Sequence, residues 1–168
     1  QMETITKRAY MLMANQLGEP AANMQLLNRN DKPTALYDVK ADYTVVLFWD
    51  PNCSHCKHEL PIIDSVYRAD WQKHNIKTYA VLTEYDKKAW TDYIDEHKIN
   101  DWVNVYQTKQ MADEEAAAQR PGFKQLYDVI MTPTLFLLDK DKRIVAKKLT
   151  WDQINDLLKV KLAKTAEK

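Results

Sequence analysis

The chain has 168 residues, 45% of them hydrophobic and 29% charged, enough for one domain that removes about 70% of its unfolded surface from water. Two Gly and six Pro beside nine Tyr and five Trp exclude a collagen-like, linker-like or disordered chain, because so many side chains gain by burial. Twenty-four basic against twenty-four acidic side chains leave no net charge to steer it towards nucleic acid or an anionic membrane.

Residues Glu3 to Gln16 carry Ile5, Ala9, Leu12 and Met13 at helical spacing, and Gly18 with Pro20 closes the pattern, so a helix is predicted ahead of residue 18. A short extended piece at Met24 to Leu27 leads into an Asn- and Asp-rich turn over Asn28 to Pro33. Tyr43 to Trp49 (YTVVLFW) is β-branched and aromatic and is bounded by Asp50-Pro51-Asn52; it reads as a central strand buried on both faces. From Ser54, the apolar positions Leu60, Ile63, Val66, Tyr67 and Trp71 recur at three and four, which describes a helix that Pro61 should kink without ending.

Thr78 to Thr83 is the next predicted strand, and Trp90, Tyr93, Ile94 and His97 mark a helix capped by Asp86. Trp102 to Tyr106 is extended, and Gln107 to Arg120 is an exposed helical excursion closed by Pro121-Gly122. Phe123 to Val129 leads to Met131-Thr132-Pro133; Thr134 to Leu138 and Ile144 to Leu149 then form a hairpin around the polar turn Asp139 to Arg143. Thr150-Trp151-Asp152-Gln153 has the form of a capping box ahead of a last amphipathic helix. From Lys140 to Lys168 nine basic residues face four acidic ones, which reads as a solvated helix face. Apolar runs such as Val45 to Trp49 and Leu135 to Leu138 are far short of the ~18 residues of a membrane span. The chain begins with Gln and shows no secretory pattern; either a targeting segment has been removed or the chain is part of a longer protein. The order of elements predicts an α/β sandwich with mixed strand directions.

Cys53 and Cys56 are the two cysteines. Disulfide chemistry needs a thiolate, and a free Cys is only ~3% ionised at pH 7. Cys53 falls where the buried strand turns into a helix, so the free N–H groups of that helix end favour its anion. Three residues on, Cys56 lies one turn down the same face, within reach but shielded. An exposed nucleophile and a buried resolver are expected, with a protonated His55 or His58 as a further stabiliser of the thiolate. Other readings stay open: a zinc site would need ligands from elsewhere in the chain, and a structural disulfide closing so short a loop gives only about 2 kcal/mol. Haem attachment would need His where Lys57 stands, and a peroxiredoxin-type peroxidase would need Thr and Pro where Asp50 and Val46 stand.

Phe48 to Lys57 (FWDPNCSHCK), Pro61 later in the helix and Met131-Thr132-Pro133-Thr134 downstream resemble the thioredoxin superfamily. Gly18-Glu19-Pro20-Ala21 and Leu137-Leu138-Asp139 resemble more narrowly its TlpA/ResA-like thiol-disulfide oxidoreductases of bacterial cell envelopes. That resemblance implies a thioredoxin fold, a central mixed sheet flanked by helices over residues 18–168, with an N-terminal extension and a helical insertion before the proline. Residues 1–17 then resemble the tail of an upstream domain in larger Bacteroidetes-type envelope proteins. It implies a cis Thr132-Pro133 bond beside the cysteines, with the Thr132 backbone left free to pair with a substrate segment. It implies Cys53 as nucleophile, Cys56 as resolver and Glu84, after the Thr78 to Thr83 strand, as proton relay. Trp49, Asn52, Ser54, His55, Thr132 and Pro133 shape the site; Asn52 stands where an aromatic residue is usual, and Leu47 where thioredoxin has a buried Asp. No bound cofactor or metal is expected beyond the Cys53–Cys56 couple. The implied activity is exchange of disulfides with partner proteins, most naturally as a reductase fed by a dithiol donor in the cell envelope. Two alternatives use the same residues differently: a soft-metal Cu(I) site with Met131, or a non-catalytic docking domain.

Overall fold

A computed structural model describes residues 15–166. The helix predicted over Glu3 to Gln16 lies, apart from its last two residues, outside them. Seven strands and five α-helices follow in chain order among the described residues: β1 (Gln25–Leu27), β2 (Pro33–Ala35), β3 (Tyr43–Trp49), α1 (Ser54–Ala69), β4 (Ile76–Leu82), α2 (Lys87–His97), β5 (Val103–Val105), α3 (Lys109–Ala117), α4 (Phe123–Leu126), β6 (Thr134–Asp139), β7 (Ile144–Leu149) and α5 (Trp151–Ala166).

β3 lies at the centre of a five-stranded sheet ordered β5-β4-β3-β6-β7, parallel to β4 and antiparallel to β6. Its uninterrupted apolar sequence serves two cores, because successive side chains point to opposite faces. Val45, Leu47 and Trp49 join one core with Leu60 and Ile63 of α1, Trp90 and Ile94 of α2, and Ile154 and Leu158 of α5. Val46 and Phe48 join the other, with Met24, Leu26 and Leu36 from the N-terminal segment and Phe123 and Tyr127 around α4. The crossovers β3-α1-β4 and β4-α2-β5 step in one direction across the sheet, and both helices therefore cover the same face. This is the thioredoxin-like α/β fold expected from the sequence.

Local chemistry sets the element ends. Asp86 caps α2, its carboxylate accepting the Ala89 N–H at 3.1 Å. The capping box of α5 forms in both directions, Thr150 N–H to Gln153 Oε1 at 3.0 Å and Gln153 N–H to Thr150 Oγ1 at 3.4 Å. α1 runs unbroken through Pro61, and α3 buries no side chain, as an excursion should. Lys142, by contrast, lies buried in the β6–β7 turn with φ 62° and donates from Nζ to the Val39 carbonyl at 2.6 Å.

The parallel strands β3, β4 and β5 end at one edge of the sheet, where antiparallel β6 begins. That edge carries the 50–53 turn, residues 83–86 and the 130–133 segment. The cysteines and the Thr132-Pro133 segment therefore come together there.

Candidate active site

At the end of β3 the Asp50 carboxylate accepts the Asn52 N–H at 3.0 Å, and the Asp50 carbonyl accepts the Cys53 N–H at 3.1 Å. This tight turn points the chain into α1 with Cys53 as its N-cap. The sulfur does what an N-cap oxygen usually does: Cys53 Sγ accepts the Cys56 N–H at 3.4 Å. Both cysteines are free thiols, Cys53 half-buried and Cys56 buried.

The Thr132–Pro133 peptide is cis, as the resemblance implied, and the Cys53 thiol donates to the Thr132 carbonyl at 3.4 Å. Partial burial opposes ionisation of Cys53, but hydrogen bonds from the Thr132 side chain and from the Cys56 and His55 backbone outweigh it, so its pKa lies below the ordinary thiol value. Burial, reinforced by the neighbouring Cys53 and only partly offset by hydrogen bonds from the Asp50 backbone and the Thr132 side chain, pushes the Cys56 pKa up to about 12. Two thiols one turn apart are thus driven in opposite directions, the half-buried one towards the anion and the buried one towards the acid.

The other expected residues fall around this pair. Trp49 is fully buried under the turn, its ring 4.9 Å from that of Tyr93. Asn52, Ser54 and His55 are exposed, and Thr132 and Pro133 half-buried. His55 acts on Cys53 through its backbone rather than through an imidazole contact.

Glu84 sits just past the end of β4. β4 ends at Leu82, and Thr83 then turns both its N–H (3.0 Å) and its Oγ1 (3.2 Å) onto the Trp49 carbonyl. The chain leaves the sheet before Glu84, whose exposed carboxylate lies 3.7 Å from Lys124 Nζ on α4. That helix packs on the face opposite α1, which carries Cys56. On α1, one turn beyond Cys56, Glu59 is half-buried and lines the groove that Pro133 also lines. Its signal was in the sequence: the three-residue step from Cys53 to Cys56 repeats from Cys56 to Glu59.

A reactive, N-capping Cys and a buried partner one turn away, facing a cis proline at the edge of a mixed sheet, define a thioredoxin-fold thiol-disulfide oxidoreductase. Residues 17–147 match the AhpC/TSA family, and the chain belongs to it. It is similar to a domain of a possible thiol-disulfide isomerase from Cytophaga hutchinsonii, at 32% identity and TM-score 0.76 over 92% of this chain and 98% of that one. A thiol:disulfide interchange protein from a Bacteroides species is 26% identical with TM-score 0.70, covering 87% and 90% of the two chains. The thiol-disulfide oxidoreductase ResA of Bacillus cereus is 24% identical over 132 residues, 79% of this chain and 69% of that protein.

Proposed function

We propose that this protein reduces disulfides of partner proteins at the cell envelope. The observation that carries the reading is the geometry of the two free thiols: Cys53 half-buried at the N-terminus of α1 against the Thr132 carbonyl, and Cys56 buried one turn on. The Cys53 thiolate attacks one sulfur of a partner disulfide, forming a Cys53–partner bond while the other partner sulfur leaves as thiolate. Cys56 then loses its proton and attacks Cys53 Sγ, releasing the second partner sulfur and leaving the Cys53–Cys56 disulfide; two electrons have passed to the partner. A dithiol donor protein returns them by the reverse exchange. Ionisation of Cys53 also ends its donation to the Thr132 carbonyl, leaving that oxygen for a substrate N–H.

Glu59 is the base for the second step, one turn from Cys56 on the same helix and in the groove beside Pro133. Among the described residues no helix is long and apolar enough to cross a membrane; the envelope setting rests on the likeness to TlpA/ResA-like proteins. The direct test is reduction of a protein disulfide by the dithiol form, with a measured reduction potential for the Cys53–Cys56 couple. A potential near that of thioredoxin, about −270 mV, supports the reductase reading, and one near that of DsbA, about −120 mV, reverses it.

A further inference from the structure

Two hydrogen-bond donors lie idle in the core that holds Cys56. The Tyr93 hydroxyl on α2 and the Trp49 indole N–H at the end of β3 are both buried, and neither has a hydrogen-bond partner among the described residues. Trp49 is 0% and Tyr93 7% exposed, and their ring centroids are 4.9 Å apart. The Tyr93 ring is also held in place by His97, one turn on along α2, which stacks on it at 3.9 Å with an interplanar angle of 19°. A buried donor left unpaired is costly, so a folded protein that keeps one needs a reason for it. The indoles of Trp90 and Trp102 are unpaired as well, but they pack against the rings of Tyr106 and Tyr67. Tyr93 differs in the charge it faces. Among the charged groups that act on its phenol, Cys56 of α1 comes first, ahead of Asp64 of α1 and Glu96 of α2.

The resolving step creates the partner that the dithiol form lacks. Cys56 is 1% exposed and shares its core with Trp49 and Tyr93, so a thiolate formed there has little water to stabilise it. Asp64 already has a partner, since its Oδ2 accepts from Arg68 Nε at 2.9 Å. Burial and the neighbouring charges push the Tyr93 phenol up to about 12, which keeps its proton in place and makes it a donor, not a base. We infer that the Tyr93 hydroxyl, beside the Trp49 N–H, donates a hydrogen bond to Cys56 Sγ as that sulfur becomes a thiolate in the resolving step. The inference rests on the reductase reading and adds to it the group that receives the resolving charge. In that step the Cys56 proton passes to Glu59, and the Cys56 electron pair forms the bond to Cys53 Sγ. The partner sulfur leaves with the electron pair of the broken Cys53–partner bond, and the Tyr93 proton stays on its oxygen throughout. Because the hydroxyl gives up no hydrogen bond to meet the thiolate, its whole interaction favours the charged form.

The test is Tyr93→Phe, which removes one oxygen and leaves the ring in the core. Stopped-flow exchange of the dithiol form with dithiobis(nitrobenzoate) separates the steps, because the attack of Cys53 releases one coloured thiolate and the attack of Cys56 on the mixed disulfide releases the second. Tyr93→Phe should slow the second release about tenfold and leave the first unchanged. Loss of a donor to the anion raises the Cys56 pKa, so the rise of the second phase with pH should move up by about one pH unit, the equivalent of that tenfold. The urea midpoint should stay the same or increase, since an unpaired hydroxyl has been taken out of the core. A second phase unchanged in rate and pH profile overturns the inference. Equal slowing of both phases with a lowered urea midpoint makes Tyr93 a packing residue and overturns it as well. A wild-type protein that never releases the second thiolate strikes instead at the reductase reading, and the inference falls with it.

Discussion

Cys53 and Cys56 differ by one helical turn and by the side of the surface on which each sulfur ends. The anion of Cys53 is held by the turn and the helix N-terminus, so its reactivity should persist to lower pH than that of an unperturbed thiol and decline as pH falls through its lowered pKa. Under limiting iodoacetamide at pH 6, mass spectrometry should find Cys53 labelled well before Cys56, which stays protonated up to about 12. Equal labelling would remove the basis for their roles. The two cysteines and Pro133 were legible in the sequence because their spacing and their neighbours carry the chemistry. The spacing left the proton relay open: Glu84 follows the end of β4 at Leu82 and pairs with Lys124, while Glu59 lies one turn beyond Cys56 on α1. Glu59→Gln should therefore slow release of the mixed disulfide at least tenfold with little effect on the first attack, and Glu84→Gln should alter neither phase in stopped-flow exchange. The opposite pattern would restore Glu84.

At the scale of elements, strands and long helices followed their periodicity closely: β3, β6 and β7 come from dense β-branched and aromatic runs, and α2 and α5 from their caps and apolar faces. Thr150→Ala removes the hydroxyl that accepts the Gln153 N–H and should cost about 1 kcal/mol in urea denaturation without changing exchange rates; an unaltered midpoint would mean that solvent caps α5 as well as the box does. What periodicity left unread is short or exceptional. β2 spans three residues and α4 four, too few for a period to show. The bulge at Lys148 has no glycine to announce it, and the buried Lys142 sits in a turn that composition alone reads as solvated. Tertiary packing decided these: the skipped residue returns Leu149 to the α1 face, and the Val39 carbonyl takes the lysine in.

For the molecule as a whole, a central strand feeding two cores leaves the sheet edge as the place where loops meet, and the sheet order puts the two cysteines opposite the cis proline. Aromatic packing on both faces holds the end of that strand. Phe48 touches Phe123, Tyr127 and Phe136 on one face, while the Trp49 ring packs tilted against Tyr93 on the other. Phe48→Ala should accordingly destabilise the protein by about 3–5 kcal/mol, measured by urea denaturation; a loss under 1 kcal/mol would mean that this face is not a packed core. The central claim is the division of labour between Cys53 and Cys56, and its most direct measurement is the Cys56→Ala variant incubated with an envelope extract. Without its resolver, Cys53 can attack but not finish, so disulfide-linked adducts with partner proteins should accumulate, be cleaved by dithiothreitol, and be absent in the Cys53→Ala, Cys56→Ala double variant. A metal site or a docking domain gives no such species. A folded Cys56→Ala protein with a titratable Cys53 thiol that yields no reducible adducts would contradict the account at its central step.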